Sequence, residues 1–253
     1  MRFTVHSNPE IAPSVYRMRL LGDTRGITRP GQFVQIAIPG FYLRRPISIC
    51  DWETAENGRF DVIYKVVGHG TEALSHLSQG SITDALIGLG NGYDIGEAEE
   101  AQGWREPLLV GGGVGTPPLF GLCRRLLAAG KRARVILGFN TKSEVILQRE
   151  FEALGVDCAV YTLDGSLGMA GVATDGMRKH SGKFDHVFAC GPEPMLKAAH
   201  AQCEDMGVDG QFSFEERMAC GFGVCMGCSC KTRYGSKRIC KDGPVLRRGE
   251  IIW

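Results

Sequence analysis

The sequence predicts a multi-domain fold: an antiparallel β-barrel domain, an α/β domain built on a parallel sheet, and a small C-terminal cysteine-rich domain. Residues 1 to about 100 contain short alternating apolar runs separated by turn residues, which is typical of a small antiparallel barrel. From Pro107 the pattern changes to alternating strands and helices, which indicates a parallel sheet. Five of the ten cysteines lie within residues 220–240.

The expected barrel strands carry β-branched and other apolar residues at alternating positions. The runs that predict these strands span residues 15–20, 32–38, 47–49 and 60–67. One helix is expected at 71–77, after a pair of glycines. The segment 97–103 is acidic and poor in apolar residues, which predicts a surface connection at the end of this domain.

The second domain is expected to alternate strands with helices. The predicted strands are 107–110, 134–138, 159–162 and 186–189, and the predicted helices are 118–127, 144–154, 174–180 and 193–206. Residues 215–253 form a short tail rich in cysteine and glycine. We therefore expect three domains, at 1–103, 104–213 and 214–253.

Composition excludes several classes of function. The 253 residues are 43% hydrophobic and 23% charged, which is ordinary for a globular protein with a real core. The net charge of +1 and the lack of a basic run argue against nucleic acid as a partner. The apolar stretches are too short to cross a membrane, and the N-terminus predicts a strand rather than a signal segment. Cysteines outside 220–240 are scattered singly, so we expect free thiols and a cytoplasmic protein.

The clustered cysteines carry the strongest chemical signal. Cys220, Cys225, Cys228 and Cys240 follow the C-x4-C-x2-C…C spacing of plant-type ferredoxins, which hold a [2Fe–2S] cluster that carries single electrons. The glycines between them allow a tightly wrapped loop. A four-cysteine zinc site and a disulfide are the alternatives. Cys230 could replace Cys240, but a loop that returns from further away is better placed to supply the fourth ligand.

Two glycine turns predict nucleotide binding in the α/β domain. The first, at residues 111–116, joins a predicted strand to a predicted helix, where backbone amides and the helix dipole favour an anion. It departs from G-x-G-x-x-G, so a plain tight turn is the alternative. The second, at residues 190–195, also ends a strand, and both turns are expected to face one crevice. Cys190 is either a buried strand-end thiol or a neighbour of a reacting nicotinamide. Residues 140–143 leave the choice between NAD and NADP open.

The barrel contains a second set of candidate binding residues. Arg44 or Arg45 could clamp a pyrophosphate, and the hydroxyl of Ser48 could hydrogen-bond a ring; the alternatives are a solvated strand arginine and, at Gly70, an ordinary turn. Gly70 and the residues beside it precede a predicted helix and form a second candidate phosphate cradle. His69 is expected to be a loop residue rather than a general base.

Together these residues resemble the ferredoxin-NADP reductase superfamily, in which R-x-x-S on a barrel strand binds flavin. Arg45-Pro46-Ile47-Ser48 and the turn at 190–195 carry this resemblance. The cysteine tail and the order of the motifs narrow it to the electron-transfer subunits of NAD-dependent (class 1B) dihydroorotate dehydrogenases. The similarity covers essentially the whole chain, including residues 88–92 and 164–166.

The resemblance implies three cofactors: FAD, a [2Fe–2S] cluster and NAD. It implies FAD contacts at Arg45, Pro46, Ile47, Ser48, Ile63, Tyr64, Lys65, Gly70 and Thr71. It implies NAD contacts at Gly111, Gly112, Gly113, Gly115, Thr116, Gly191, Pro192 and Met195. The implied cluster ligands are Cys220, Cys225, Cys228 and Cys240. Ser48 and Cys190 are the candidate residues beside the reacting rings, and no acid–base pair is expected.

The resemblance also implies a role and a partner. Electrons would pass from an FMN-containing dihydroorotate dehydrogenase catalytic subunit through the cluster and FAD to NAD⁺, in pyrimidine biosynthesis, within a heterotetramer of two chains of each kind. The three expected domains leave no residues for an orotate-binding catalytic domain, so the other end of the electron path is expected in another polypeptide or a diffusing carrier. The first alternative is a reductase subunit that serves ferredoxin, a hydrogenase or a sulfur reductase. A different class is a non-catalytic zinc module.

Overall fold

The first sheet is a closed antiparallel barrel. The computed structural model describes residues 1–96 and 104–253, so the predicted connection at 97–103 lies outside the described residues. The barrel strands are β1 (Arg2–Ser7), β3 (Val15–Gly22), β4 (Phe33–Ile36), β5 (Arg45–Glu53), β6 (Gly58–Lys65) and β7 (Ile82–Leu89). They pair in the order β1-β7-β4-β5-β6-β3, and pairing of β3 with β1 closes the ring. The short β2 (Glu10–Ala12) adds to β3, and α1 (His69–Ser75) joins β6 to β7.

Alternation along the strands explains why this sheet closes around a core. On β4, Val34 and Ile36 are fully buried among the apolar side chains inside the barrel. Phe33, on the opposite face of β4, packs in a core shared with the second sheet. Because successive strand residues face opposite sides, β4 has an inner face for the barrel and an outer face for its neighbours.

The second sheet contains six parallel strands and one antiparallel edge strand. Its strands are β8 (Pro107–Gly112), β9 (Arg134–Phe139), β10 (Asp157–Thr162), β11 (Met169–Ala170), β12 (His186–Cys190), β13 (Asp209–Ser213) and β16 (Val245–Arg247). They lie in the order β11-β10-β9-β8-β12-β13-β16. Every residue of β8 is buried, as expected of a parallel strand covered on both faces.

In the described part of the chain, four helices accompany the second sheet. They are α2 (Thr116–Ala128), α3 (Gln148–Ala153), α4 (Ala173–Lys179) and α5 (Glu193–Met206). The predicted helix at 144–154 is too long, because Leu147 has a φ of +63° and interrupts the helical path before α3. Within the described residues, no helix is long and apolar enough to cross a membrane.

The C-terminal tail is tied into the second sheet. After the cysteine loop, β14 (Ser229–Thr232) and β15 (Gly235–Arg238) form a hairpin, followed by the short α6 (Ile239–Asp242). Strand β16 then pairs antiparallel with β13, placing Val245 opposite Ser213. The domain boundary at 213/214 stays a prediction, and β16 pairs across it.

The barrel and the second sheet meet through α2 and β5. A Cβ at Gly121 of α2 would lie 2.5 Å from the carbonyl oxygen of Cys50 on β5, so helix and strand approach closely. The guanidinium of Arg125 stacks on the ring of Trp52, 3.1 Å from its centroid. Arg124 forms an ion pair with the buried Asp51. This packing fixes the first glycine turn, at the start of α2, relative to the barrel.

Candidate functional site

The two glycine turns of the second sheet lie against each other at neighbouring strand ends. Strands β8 and β12 pair in parallel, with Gly111 opposite Cys190. A Cβ at Gly115 would clash with the carbonyl of Cys190, and one at Gly112 would lie 2.6 Å from the sulfur of Met195. Glycine alone permits this approach. The structure thus brings both turns to one edge, and their role as NAD contacts stays a prediction.

Thr116, the first residue of α2, offers an unused polar group at this edge. Its hydroxyl oxygen is buried and has no hydrogen-bond partner among the described residues. Buried hydroxyls in folded proteins usually have a partner. An orphaned hydroxyl at a helix start beside a glycine turn fits a bound nucleotide.

Cys190 is a packed, neutral thiol at the end of β12. Burial raises its pKa to about 12, while hydrogen bonds with Ser213 and Tyr93 oppose this shift. The Tyr93 hydroxyl also donates to the Ala189 carbonyl oxygen at 3.2 Å. A thiol with this pKa is a poor nucleophile. Cys190 is therefore the buried strand-end thiol of the first interpretation, and its place beside a reacting nicotinamide stays a prediction.

In the barrel, the structure distinguishes between two neighbouring arginines. A Cβ at Gly70 would clash with the guanidinium of Arg45, so this cation lies against the start of α1. Arg44 instead donates to the Asp84 carbonyl oxygen at 2.9 Å and forms an ion pair with the Asp84 carboxylate. Arg45, which also donates to the Leu43 carbonyl oxygen at 2.5 Å, is therefore the arginine that lies at the predicted cradle, and its contact with a pyrophosphate stays a prediction.

The other predicted flavin contacts divide between the two faces of their strands. Ile47 and Tyr64 belong to the barrel core, and the Tyr64 hydroxyl donates to Asn8 at 3.0 Å. Ser48 is half-buried and lies opposite Phe33, on the outer face of the barrel. Ile47 and Tyr64 could therefore offer a flavin only their backbone, while Ser48 offers its hydroxyl.

Three further predicted contacts lie near the nucleotide domain or at α1. Ile63 packs in the core that the barrel shares with α2, and Lys65 lies 3.5 Å from the Glu144 carboxylate. The Thr71 hydroxyl accepts the amide hydrogens of Val67 and Gly68 at 2.9 and 3.2 Å. Thr71 thus shapes the turn that leads into α1. His69, the first residue of α1, is exposed.

The first glycine turn also reaches the barrel. Its central residues, Gly113–Gly115, form a 3-10 turn that contacts strand β6. Strand β6 carries the predicted flavin contacts at 63–65. The predicted nicotinamide and flavin sites are therefore adjacent in the folded chain.

The four predicted cluster ligands form two pairs of thiols. The Cys220 sulfur accepts the Cys225 amide at 3.5 Å, and the Cys228 sulfur accepts the Cys240 amide at 3.3 Å. All ten cysteines are free, and no group of three His, Cys, Asp or Glu in 1–96 and 104–253 is arranged to hold a single metal ion. A [2Fe–2S] cluster has two irons, each bound by two protein sulfurs. The paired thiols therefore fit this cluster.

Backbone amides surround the first pair. The sulfur of Cys220 accepts the amides of Val224 at 3.3 Å and Cys225 at 3.5 Å. Burial opposes ionisation, but these amides lower the pKa of Cys220 to about 6, which favours the thiolate that binds metal. Gly221 and Gly223, with φ of +79° and +88°, allow the loop to turn its amides toward the sulfur.

The second pair bears on the choice of fourth ligand. The amide of Cys240 donates to the Cys228 sulfur at 3.3 Å, and both residues are 2% exposed. Burial, followed by the neighbouring Cys228 thiol, raises the pKa of Cys240 to about 12. Cys230 lies on β14, opposite Lys237 of the hairpin. This pairing supports Cys240 as the ligand.

One structural residue of the site was not recognised from the sequence. The Asn91 side chain donates to the carbonyl oxygens of Asp242 at 3.3 Å and Val245 at 2.8 Å, and accepts the Val245 amide at 3.1 Å. Its backbone amide donates to the Gly243 carbonyl oxygen at 2.6 Å. We call this set of bonds the Asn91 clasp. It ties the barrel to the segment after Cys240, and its sequence signal is the glycine-flanked asparagine within 88–92.

Comparison with known proteins finds separate matches for the nucleotide domain and for the cysteine-rich tail. Residues 109–201 match the oxidoreductase NAD-binding domain, and residues 215–252 match the iron–sulfur cluster binding domain of dihydroorotate dehydrogenase B. A ferredoxin NADP⁺ reductase from Neisseria gonorrhoeae, solved with FAD and NADP, shares the fold: it is 15% identical, with a TM-score of 0.67 over 86% of this chain and 93% of its own. The fold and the site define an NAD-linked flavin and iron–sulfur oxidoreductase.

Curated relatives identify the family, and a solved structure is similar over nearly the whole chain. The electron transfer subunit of dihydroorotate dehydrogenase B (NAD⁺) from Fusobacterium nucleatum subsp. nucleatum is 40% identical over 258 residues, covering 98% of this chain and 96% of the relative. A solved NADH-dependent reduced ferredoxin-NADP oxidoreductase, described for flavin-based electron bifurcation, is 32% identical, with a TM-score of 0.88 over 99% of this chain and 90% of its own. The chain belongs to the family of dihydroorotate dehydrogenase B electron transfer subunits, and the resemblance stated above is confirmed.

Proposed function

We propose that this chain carries electrons between a dihydroorotate dehydrogenase catalytic subunit and NAD⁺. The observation that carries the proposal is the adjacency of three sites in one chain. The glycine turn at 113–115 contacts β6 of the flavin site, and the cysteine loop lies against β4 of the same barrel at Gly221. When bound, FAD exchanges two electrons with nicotinamide and single electrons with a cluster, so it can link the two carriers.

Separate sets of residues bind FAD, NAD and the cluster. Arg45 holds the FAD pyrophosphate at α1, and Ser48 hydrogen-bonds the ring on the outer barrel face. The glycine turns and Thr116 bind NAD, and the packed thiol of Cys190 borders the nicotinamide without reacting. The four paired cysteines hold the [2Fe–2S] cluster. This division corresponds to domains at 1–103, 104–213 and 214–253, within which both matched family ranges fall.

The partner is an FMN-containing catalytic subunit that oxidises dihydroorotate in pyrimidine biosynthesis. The 40% identity over nearly the whole length of the Fusobacterium relative supports this choice. We propose a heterotetramer of two chains of each kind, in the cytoplasm. The cysteine loop faces the partner, because Phe222, Val224 and Met226 of this loop are exposed apolar residues.

A second candidate partner follows from the solved relative. The 32% identity to an NADH-dependent reduced ferredoxin-NADP oxidoreductase extends over 99% of this chain. A subunit that exchanges electrons with ferredoxin would use the same flavin, nicotinamide and cluster sites. The identity to this relative is lower than the 40% to the Fusobacterium subunit, so we place this function second.

Co-expression with the two candidate partners separates these functions. We expect the chain to co-purify with the dihydroorotate dehydrogenase catalytic subunit, and the complex to reduce NAD⁺ with dihydroorotate. Native mass spectrometry of that complex tests the two-plus-two composition. Reduction of ferredoxin by NADH, without any dihydroorotate-dependent activity in the complex, would reject the first function and support the second.

A further inference from the structure

Gln35 is a buried amide on the outer face of the barrel. It shares strand β4 with Val34 and Ile36, which point into the barrel core, so the alternation of strand faces places Gln35 on the outer side with Phe33. The side chain is fully buried. Neither its Nε2 nor its Oε1 has a hydrogen-bond partner among the described residues.

The cysteine loop lies directly against this amide. Of the Gln35 atoms, Nε2 is the one closest to a Cβ built at Gly221, followed by Cγ at 2.7 Å and Cδ at 2.8 Å. Gly221 follows Cys220, the first predicted ligand. Within the sheet, the backbone of Gln35 pairs with Pro46, part of the predicted flavin motif. The cluster loop therefore covers the amide on a strand next to the flavin motif.

An unpartnered buried amide calls for an explanation. Its polar atoms lose their hydrogen bonds to water on burial, and a leucine would fill similar space without this cost. Gln32, three residues earlier, shows the usual solution, because its amide bonds the Gly88 carbonyl oxygen and the Thr28 amide at 2.9 Å each. The described chain offers no such partner to Gln35. Its partner is therefore expected to be a bound group.

We propose that Gln35 donates a hydrogen bond from Nε2 to a sulfur of the [2Fe–2S] cluster on the Cys220 side, and that it raises the reduction potential of the cluster. The inference rests on the cluster site of the proposed function. The nitrogen, a donor, is the Gln35 atom nearest the Cβ position of Gly221, and sulfur in this loop already accepts amide hydrogens. Donors to the sulfurs stabilise the electron-rich reduced cluster. Gln35 is thus a direct hydrogen-bond donor to the cluster, contributed by the barrel.

Redox titration of the full-length, cofactor-loaded protein tests this proposal. We expect Gln35→Leu to lower the midpoint potential of the cluster, which is monitored by paramagnetic resonance. The FAD potential, which is monitored by absorbance, should stay unchanged. Gln202→Leu is the matched control, because Gln202 is also buried and its Oε1 also lacks a partner, but it lies on α5. The control is expected to shift neither potential. An unchanged cluster potential in loaded Gln35→Leu, or a shift of the FAD potential alone, overturns the proposal.

A measurement on the unaltered chain keeps the test independent of the stability of the variant. With ¹⁵N in the glutamine side chains, pulsed paramagnetic resonance of the dithionite-reduced cluster should show coupling to a side-chain nitrogen. A reduced-cluster signal without this coupling rejects the role of Gln35 and leaves the proposed function standing. If the purified chain contains zinc but no iron and shows no reduced-cluster signal, the cluster itself is rejected, and with it the proposed function.

Discussion

At the residue scale, function depends on which of two similar neighbours faces the site. Arg44 and Arg45 are adjacent on the chain, and the sequence offered both as pyrophosphate ligands. Arg45 is the first residue of β5, whereas Arg44 precedes the strand, and the two side chains meet different partners. The structure pairs Arg44 with Asp84 and places Arg45 against Gly70.

The two arginines provide a matched test of the FAD site. Arg45→Ala is expected to weaken FAD binding about thirty-fold, because losing a charge-assisted hydrogen bond costs about 2 kcal/mol. Arg44→Ala removes the same charge one residue away and should leave FAD affinity within about threefold. Fluorescence titration of the FAD-depleted proteins measures both affinities. Equal losses in the two variants would show that Arg45 has no specific role.

The two competing cysteines allow a similar comparison. Cys240→Ser removes a thiol that is paired with Cys228, so we expect iron retention to fall by roughly 100-fold or more. The loss of a metal ligand should cost more than the loss of a residue that only hydrogen-bonds a ligand. Cys230→Ser removes a thiol on the hairpin and should retain iron at the wild-type level. Iron and sulfide analysis together with paramagnetic resonance reads out both variants. Loss of the cluster in Cys230→Ser but not in Cys240→Ser would reverse the assignment.

At the element scale, the sequence predicted elements with strong local signals and missed those set by distant contacts. Helix α5 matches its predicted range of 193–206, because Pro194 stands in its first turn and Gly207 caps its end in the left-handed region. Helix α3 is shorter than predicted, because Leu147 adopts the left-handed region without glycine as a signal. Strand β16 depends on a partner strand more than 30 residues away, which no local pattern shows.

The Asn91 clasp is an element-scale feature with a measurable effect. Asn91→Ala removes three side-chain hydrogen bonds, worth about 3 kcal/mol together at about 1 kcal/mol each. We expect faster amide hydrogen exchange in residues 239–247 and faster loss of the cluster. Hydrogen-exchange mass spectrometry measures the first effect, and the decay of cluster absorbance the second.

Asn8 offers the matched control for the clasp. Its amide donates to the carbonyl oxygens of Leu74 and Ser75 at the end of α1 and of Leu77 just after it, at 3.0–3.3 Å. Asn8→Ala should therefore loosen α1 and leave residues 239–247 protected. If the Asn91 variant leaves exchange in that segment unchanged, the clasp does not hold the tail.

At the scale of the whole molecule, the sequence predicted the sites and the structure shows their adjacency. The four cysteines, the two glycine turns and the R-x-x-S motif could be recognised from the sequence because their spacing is local. Their arrangement depends on close packing that leaves no local trace, such as Gly121 against Cys50 and the turn at 113–115 against β6. Gln35 was missed for the same reason, since a single polar residue in an apolar strand gives no sign of what lies above it.

The central claim is that electrons pass between NAD(H) and the cluster through FAD within this one chain. Anaerobic titration of the purified, loaded chain with NADH, followed by absorbance and paramagnetic resonance, tests it most directly. We predict bleaching of the flavin together with the signal of a reduced [2Fe–2S] cluster. In FAD-depleted Arg45→Ala, NADH should no longer reduce the cluster, while dithionite still does. Flavin bleaching in the wild-type chain with a cluster that only dithionite can reduce would contradict the account.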